Sequence, residues 1–276
     1  MMAAWLPKGV FFMRKFMLML AAVLIMFAAV QIAPAAAAES EWLKAELNEG
    51  RITVAYNVKA NVKTKVMISK DKVNYTYNLN KSNETFPLQL GNGDYKVMVL
   101  EHVSDKSYKV VKQEIVTLNL KDDKVVYLNS VQNVQWTSAS NAVQKAKELT
   151  KGKTTDEQKV KAIYDYITAN IAYDNKLAAS ASTDYLPDID RTLKTKKDIC
   201  YGYSALFAAM LRSLDIPTKL VMGDSDYVDV YHAWNEVYLN GKWVTIDTTV
   251  DAGFKQANKK TEMIKSSAKY KAAKQY

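Results

Sequence analysis

The sequence contains a single cysteine, Cys200, and only two histidines, His102 and His232. One cysteine excludes an internal disulfide framework, and this set of thiol and imidazole groups is too small for a closed zinc site. The acidic segment at 223–226 lacks the ligand spacing of a calcium loop. Basic residues are scattered rather than gathered in an Arg-rich stripe, which excludes a typical nucleic-acid partner. We therefore expect no metal site, no cofactor and no nucleic-acid ligand.

Acidic residues are missing from the first 38 positions, whereas Lys8, Arg14 and Lys15 make this segment positive. An unbroken apolar run of fifteen residues follows at Phe16–Val30, and small residues complete the segment. This order is typical of a secretory signal peptide with an Ala-x-Ala cleavage site. An uncleaved membrane anchor is the alternative, but fifteen apolar residues fall short of the ~20 that span a bilayer. We assign residues 1–38 as a signal peptide and expect a secreted, extracellular protein that keeps no stable membrane anchor after cleavage.

The chain that remains after residue 38 is basic. It retains 35 of the 38 basic residues and all 29 acidic residues, which gives a formal net charge of +6. Outside the cell such a charge favours contact with anionic surfaces, including cell-wall polymers. The alternative is an ordinary solvated surface with no anionic partner.

Residues 39–136 show the pattern of a small all-β domain. Short runs rich in Val, Ile, Tyr and Thr recur at the spacing of an antiparallel β-sandwich and are separated by turn-like polar segments. His102 lies near the end of one run and is interpreted as an ordinary exposed residue. The predicted strands are Arg51–Val58, Thr64–Ile68, Tyr75–Leu79, Tyr95–Val103, Val110–Leu120 and Val125–Trp136.

A polar linker at 137–141 separates this domain from a second one, residues 137–276, in which the pattern becomes helical. The helices are predicted over 142–150, from Thr155 onward, and over Tyr201–Leu214, where Pro217 ends the last one. The stretch Lys176–Lys197 has no clear period and is predicted to be a long loop. Together the two parts predict an α+β chain.

A hairpin in the second domain fixes which residues face each other. Asn240-Gly241 between two alternating segments predicts a two-residue type I′ turn. Counting outward from that turn pairs Trp234 with Asp247, so His232, two positions earlier, lies on the same face as Asp247 on a diagonal. Diagonal neighbours are about 7–8 Å apart, within reach of longer side chains. The sequence therefore predicts an imidazole beside a carboxylate, the base and its orienting group in a catalytic triad.

Cys200 stands directly before a predicted helix. The N-terminus of a helix carries partial positive charge and free N–H groups, which favour thiolate over thiol. A thiolate with a nearby histidine is an activated nucleophile, and the backbone N–H of Cys200 is a candidate donor to an oxyanion. The alternative for Cys200 is a small buried residue of the core, and for His232 it is a structural histidine. For Asp247 the alternative is a hydrogen bond at a turn or strand end.

Three segments resemble the transglutaminase-like superfamily and follow one another in the family's order. Residues 198–207, Asp-Ile-Cys-Tyr-Gly-Tyr-Ser-Ala-Leu-Phe, are similar to its nucleophile helix. Residues 232–238, His-Ala-Trp-Asn-Glu-Val-Tyr, and 243–249, Trp-Val-Thr-Ile-Asp-Thr-Thr, are similar to its histidine and aspartate strands. The resemblance covers about residues 141–254. It implies a papain-like core with a nucleophile helix packed on an antiparallel sheet, and it implies Cys200, His232 and Asp247 as the catalytic residues.

The sequence departs from the family at Asp198, where many members have glycine two residues before the cysteine. A negative charge beside the sulfur disfavours the thiolate. Trp234, Trp243, Thr248 and Thr249 are interpreted as packing and strand residues.

Three classes of function remain open. The first is acyl transfer from glutamine or peptide amides through a thioester, to an amine or to water. The second is a cysteine peptidase or amidase. The third is a noncatalytic relative that binds cell-wall or protein partners.

Overall fold

The first half of the described chain is built from antiparallel β-strands. The structure is a computed structural model that describes residues 41–276, so the predicted signal peptide lies outside the described residues. In chain order, strands β1 to β7 are Leu43–Glu46, Arg51–Ala55, Thr64–Lys70, Val73–Asn78, Asn83–Pro87, Gly93–Ser104 and Ser107–Leu118.

These strands form two antiparallel sheets that share a core. One sheet has the order β1-β2-β5 and the other the order β4-β3-β6-β7. Alternate residues of β2 and β3 are buried, and their inward side chains join a single apolar cluster with those of β5 and β6, among them Ile52, Val66, Phe86 and Val97. Period-two burial is what places one face of each sheet in the core. The predicted N-terminal β-sandwich is confirmed.

Two details of this half differ from the prediction. The strand predicted over Val125–Trp136 is wrong, because the chain instead forms a short 3-10 helix at Asp123–Leu128. The Asp122 carboxylate accepts the N–H of Lys124 and so caps this helix. Two short strands, β1 and β5, were absent from the prediction.

The second half alternates helices and strands. Helices α1 to α6 are Asn141–Leu149, Asp156–Asn170, Asn175–Ser180, Ile189–Thr195, Cys200–Arg212 and Thr248–Gln256. Strands β8 to β14 are Ala172–Tyr173, Lys197–Asp198, Thr218–Ser225, Val228–Leu239, Lys242–Ile246, Ile264–Lys265 and Tyr270–Gln275.

Helix α5 is the centre of this half. Every residue from Gly202 to Arg212 is buried, and the helix packs against β10 and β11 of an antiparallel sheet with the order β13-β12-β11-β10-β14. A helix that is apolar all round must be enclosed on all sides. The predicted arrangement, a nucleophile helix on an antiparallel sheet, is confirmed.

The long loop predicted over Lys176–Lys197 is wrong. Two short helices, α3 and α4, occupy most of it, and each begins where an aspartate caps its first N–H groups. Asp174 accepts the N–H of Leu177, and Asp188 accepts that of Arg191. These helices are too short to show a hydrophobic period, which is why periodicity missed them.

Arg212, the last residue of α5, is fully buried and joins segments that are far apart in the chain. Its Nε donates to the Thr218 carbonyl at 2.8 Å. Its two Nη atoms donate to the carbonyls of Asn129 and Tyr276, both at 2.7 Å. The end of the helix is thereby tied to the first half, to β10 and to the residue after β14.

The described residues belong to one compact unit. The boundary between residues 136 and 137 stays a prediction. Over 41–276, every helix falls short of the length and apolar character that crossing a membrane demands.

Candidate active site

The hairpin of β11 and β12 has the predicted turn and register. Asn240 and Gly241 have φ values of 50° and 80°, as both central residues of a type I′ turn must. Leu239 faces Lys242. The ladder ends at the pair formed by Asn235 and Ile246, one residue short of the predicted pairing of Trp234 with Asp247.

Asp247 leaves the strand and becomes the N-cap of α6. Its Oδ1 accepts the N–H groups of Thr249 at 3.1 Å and Val250 at 3.0 Å. The prediction that Thr248 and Thr249 continue the strand is therefore wrong, because a capping aspartate starts a helix there. The carboxylate is fully buried, and its second oxygen is left for the site.

His232 and Asp247 meet as predicted. His232 Nε2 lies 2.8 Å from Asp247 Oδ2, and the imidazole is buried, with 3% of its surface exposed. Burial by itself lowers the pKa of His232, but hydrogen bonding to Asp247 and to Cys200 raises it to about 10. The imidazole is therefore held in its charged form through the neutral pH range.

Cys200 is the first residue of α5 and is partly exposed. The residue before it, Ile199, has no polar side chain with which to cap the helix. The side chain of Ile199 therefore leaves the N–H groups in the first turn of α5 uncapped. Because Asp247 takes Nε2 of His232, Nδ1 is the ring nitrogen left for Cys200. The charged imidazole and the N-terminus of the helix both bring positive charge to the region of the sulfur.

The Asp198 carboxylate bonds to residues other than Cys200. Its carboxylate is fully buried and accepts hydrogen bonds from Tyr185 at 2.6 Å, Arg191 at 2.7 Å and Thr192 at 2.5 Å. It also accepts the N–H of Ile199 at 2.8 Å. The positive charge of Arg191 offsets the charge that the sequence placed beside the nucleophile.

Asn235 ties the helix of Cys200 to the sheet of His232. Its side chain is fully buried, and Nδ2 donates to the carbonyls of Ser204 in α5 and Lys219 in β10, both at 3.0 Å. Asn235 lies three residues from His232, and Ser204 lies four residues from Cys200, so this contact holds the two site residues at a fixed separation.

The sequence analysis missed Tyr270, at the start of β14. Its hydroxyl donates to Asp247 Oδ2 at 3.0 Å, and its ring packs 4.9 Å from that of Trp234. Burial raises the pKa of Tyr270, and so does the neighbouring Asp247. The only signal for this residue was an aromatic side chain in a polar C-terminal stretch, which does not specify a partner.

In the part of the chain that the structure describes, no group of three or more His, Cys, Asp or Glu side chains is placed to hold a metal ion.

Residues 143–248 match the model of the transglutaminase-like superfamily. The chain therefore contains a transglutaminase-like domain, and all three predicted site residues lie within or at the C-terminal end of the matched range.

Curated relatives are similar over part of the chain. Human kyphoscoliosis peptidase is 28% identical over 183 residues, which are 63% of this chain and 26% of the relative. Mouse kyphoscoliosis peptidase is 32% identical over 109 residues, 36% of this chain and 16% of the relative. The chain thus spans about a quarter or less of the length of these relatives. Among solved structures, the periplasmic domain of TgpA from Pseudomonas aeruginosa is 13% identical with a TM-score of 0.40, over 72% of this chain and 91% of that one.

Proposed function

We propose that the protein is a thiol enzyme that forms a thioester with glutamine or peptide amide substrates, with Cys200 as nucleophile, His232 as acid and base, and Asp247 as the group that orients His232. The observation that carries the proposal is the placement of His232, which is hydrogen bonded to Asp247 and neighbours Cys200 at the N-terminus of a buried helix.

The proposed reaction has two halves. In the first, the Cys200 thiolate attacks the amide carbonyl, and the C–N bond breaks as the imidazolium of His232 gives its proton to the departing amine or ammonia. In the second, an amine or water attacks the thioester and gives a proton to the neutral imidazole. The C–S bond then breaks and returns the thiolate. An amine acceptor gives a cross-link, and water gives hydrolysis.

A cysteine peptidase or amidase is the second candidate. It is favoured by the name of the curated relatives, which are peptidases, and it needs the same Cys200, His232 and Asp247 with water as acceptor. A noncatalytic partner-binding protein is disfavoured, because a binding surface has no need of a partly exposed thiol beside a buried charged imidazole.

The experiment compares the parent with Cys200→Ala, His232→Ala and Asp247→Asn. Each protein is treated with iodoacetamide between pH 5 and 9, and then with a glutamine-containing peptide, with and without a primary amine. We expect Cys200 to be alkylated at pH 6 faster than glutathione, His232→Ala to slow alkylation, and Cys200→Ala to abolish turnover with the fold intact by circular dichroism. An alkylation profile that His232→Ala leaves unchanged would contradict the proposal. Product formed only with the amine identifies a transferase, and product formed equally without it identifies a hydrolase.

We also propose that the protein is secreted and that its basic surface contacts anionic cell-wall polymers. The proposal is supported by the positive, apolar and small-residue order of residues 1–38 and by the net charge of +6 that follows them. N-terminal sequencing of protein from the medium should begin at or near Glu39. Recovery of full-length protein from membranes alone would overturn the secretion proposal. Failure to sediment with cell walls at low salt would overturn the contact with wall polymers.

A further inference from the structure

A cavity of about 370 Å³ opens beside His232, on the side where Tyr173 and Tyr203 line it. Tyr173 pairs with Asp198 across β8 and β9, and Tyr203 lies about one turn along α5 from Cys200, so this wall of the cavity lies near the start of the helix that carries Cys200. A side chain in the cavity would therefore belong to a substrate whose carbonyl carbon is within reach of the sulfur. The volume is within the ~300–1,000 Å³ typical of ligand sites.

The lining is apolar and aromatic. The residues that line it include Tyr227, Val230 and Phe254, and Val230 is 63% exposed. Of the described residues, those that line the cavity include no Asp, Glu, Lys or Arg, and His232 is its one ionisable group apart from the tyrosines. A charged substrate side chain would lose its hydration here without gaining a partner, whereas an apolar one would gain by leaving water.

A second cavity has a more polar lining, and Tyr201 and Tyr231, the neighbours of Cys200 and His232 in the chain, both contribute to it. It has a volume of about 220 Å³ and is lined by Asn78, Gln132, Asn133, Asp184 and Tyr201 among others. Amide and carboxylate groups of this kind favour the polar backbone of a peptide over an apolar side chain.

We propose that the cavity beside His232 is the pocket that selects an apolar side chain, aliphatic or aromatic, on the acyl-donor substrate next to the carbonyl that Cys200 attacks. This proposal rests on the proposed function of Cys200. It adds a substrate class to that function, namely peptides with a bulky apolar residue next to the carbonyl under attack.

Gly253 offers a way to fill the cavity without disturbing the fold. It lies in α6 and lines the cavity, and among the described residues no atom lies within 4 Å of the place where its Cβ would be. Gly253→Leu therefore puts a side chain into open space, and Gly253→Ala is its smaller partner in a size series. Thr183→Leu adds the same apolar side chain to the other cavity and serves as the matched control.

The experiment measures the labelling rate of Cys200 with acetyl-phenylalanyl, acetyl-leucyl, acetyl-glycyl and acetyl-aspartyl chloromethyl ketones. Each rate is divided by the iodoacetamide rate of the same variant, so that changes in the thiol itself cancel. In the parent, we expect the phenylalanyl and leucyl probes to exceed the glycyl probe about 10-fold or more, and the aspartyl probe to be slowest. Gly253→Leu should reduce the preference to about 2-fold or less, Gly253→Ala should reduce it partly, and Thr183→Leu should retain it.

The outcomes separate the two proposals. Rapid iodoacetamide labelling that depends on His232, together with equal normalised rates for the four probes, would overturn the pocket and leave the thiol chemistry standing. A preference that survives Gly253→Leu and is lost in Thr183→Leu would place the apolar side chain in the other cavity and also overturn it. Slow labelling that is indifferent to His232→Ala would overturn the proposed function, while the normalised probe preference would still decide the pocket.

Discussion

The Asp198 carboxylate occupies the space that a side chain at position 202 would need, so the structure requires glycine at that position. A Cβ built on Gly202 would lie 2.0 Å from the carboxyl carbon of Asp198. The carboxylate packs against the bare backbone of α5 and turns its oxygens toward Arg191, Thr192 and Tyr185. The residue that departs from the family pattern thus helps to build the start of the nucleophile helix, and replacing it with glycine would remove the partner of Arg191.

The first prediction concerns Gly202. Gly202→Ala should lower the free energy of unfolding by about 1–3 kcal/mol, the usual effect of overpacking a filled core, and should slow alkylation of Cys200 as Asp198 is displaced. Urea unfolding and iodoacetamide labelling measure the two effects. Gly253→Ala is the control, since the same change in an open helical position should raise stability by about 0.5–1 kcal/mol. Equal effects of the two changes would contradict the contact.

The second prediction separates the two roles of Asp247. Asp247→Asn should retain the cap of α6, because asparagine caps helices about as well as aspartate, but should lower the pKa of His232 and reduce turnover. Asp247→Ala should lose both roles. Its free energy of unfolding should be lower than that of Asp247→Asn by about 1 kcal/mol, because the helix cap is lost. NMR titration of the imidazole rings measures the pKa, with His102 as an internal reference. An unchanged pKa in Asp247→Asn would rule out Asp247 as the partner of His232.

The third prediction concerns Tyr270, the residue that the sequence did not reveal. Tyr270→Phe removes one hydrogen bond to a buried carboxylate and should destabilise the protein by about 1.5–3 kcal/mol. It should reduce turnover less than Asp247→Asn, since His232 still has its carboxylate. Tyr227→Phe makes the same change in a neighbouring ring, 5.7 Å away, and is the control. If both changes have the same effect in thermal unfolding, the Tyr270 hydroxyl does not support Asp247.

The fourth prediction follows from the raised pKa of His232. Because the folded-state pKa of about 10 exceeds the ordinary value of about 6.5, protonation of His232 stabilises the fold fully below pH 6.5. That contribution should be lost as pH rises through about 10. Unfolding in urea at pH 6, 8 and 10 should therefore show a steeper fall for the parent than for His232→Gln. Parallel curves for the two proteins would mean that His232 titrates at its ordinary pKa.

The fifth prediction is that residues 39–136 fold alone and lack amidase activity, because their strands pair only with one another, in two sheets whose inward side chains are apolar. The isolated fragment would expose Tyr75, whose hydroxyl accepts the N–H of Gln275 at 3.0 Å, so it should be less stable than the whole chain. Circular dichroism and urea unfolding measure this. A fragment that stays unfolded where the whole chain folds would contradict the boundary or the independence of the domain.

The sequence predicted the contact between His232 and Asp247 because it depends on local rules. The Asn240-Gly241 turn fixes the register over a few residues, and period-two alternation then places the imidazole. The position of Cys200 at a helix start is equally local. These are the parts of the site that a short stretch of chain determines by itself.

The parts that the sequence did not predict depend on distant contacts. Thr248 and Thr249 are β-branched and favour a strand, but the capping carboxylate of Asp247 overrides that preference. Strand β14 has three charged or polar residues among six, and it is a strand because it pairs with the edge of β10. Tyr270 reaches Asp247 through that pairing, and no local pattern records it.

The contacts of Arg212 have a consequence for how the molecule comes apart. The buried guanidinium of Arg212 donates to the carbonyls of Asn129, Thr218 and Tyr276. Releasing any one of these segments is costly, because it would leave a buried N–H group without a hydrogen-bond partner. We therefore expect the 3-10 segment near Asn129, the start of β10 and the end of the C-terminal strand to exchange their protected amide hydrogens in one opening event. Helix α5 begins at Cys200 and ends at Arg212, so we expect the segments that Arg212 joins to unfold together with the helix of the candidate site.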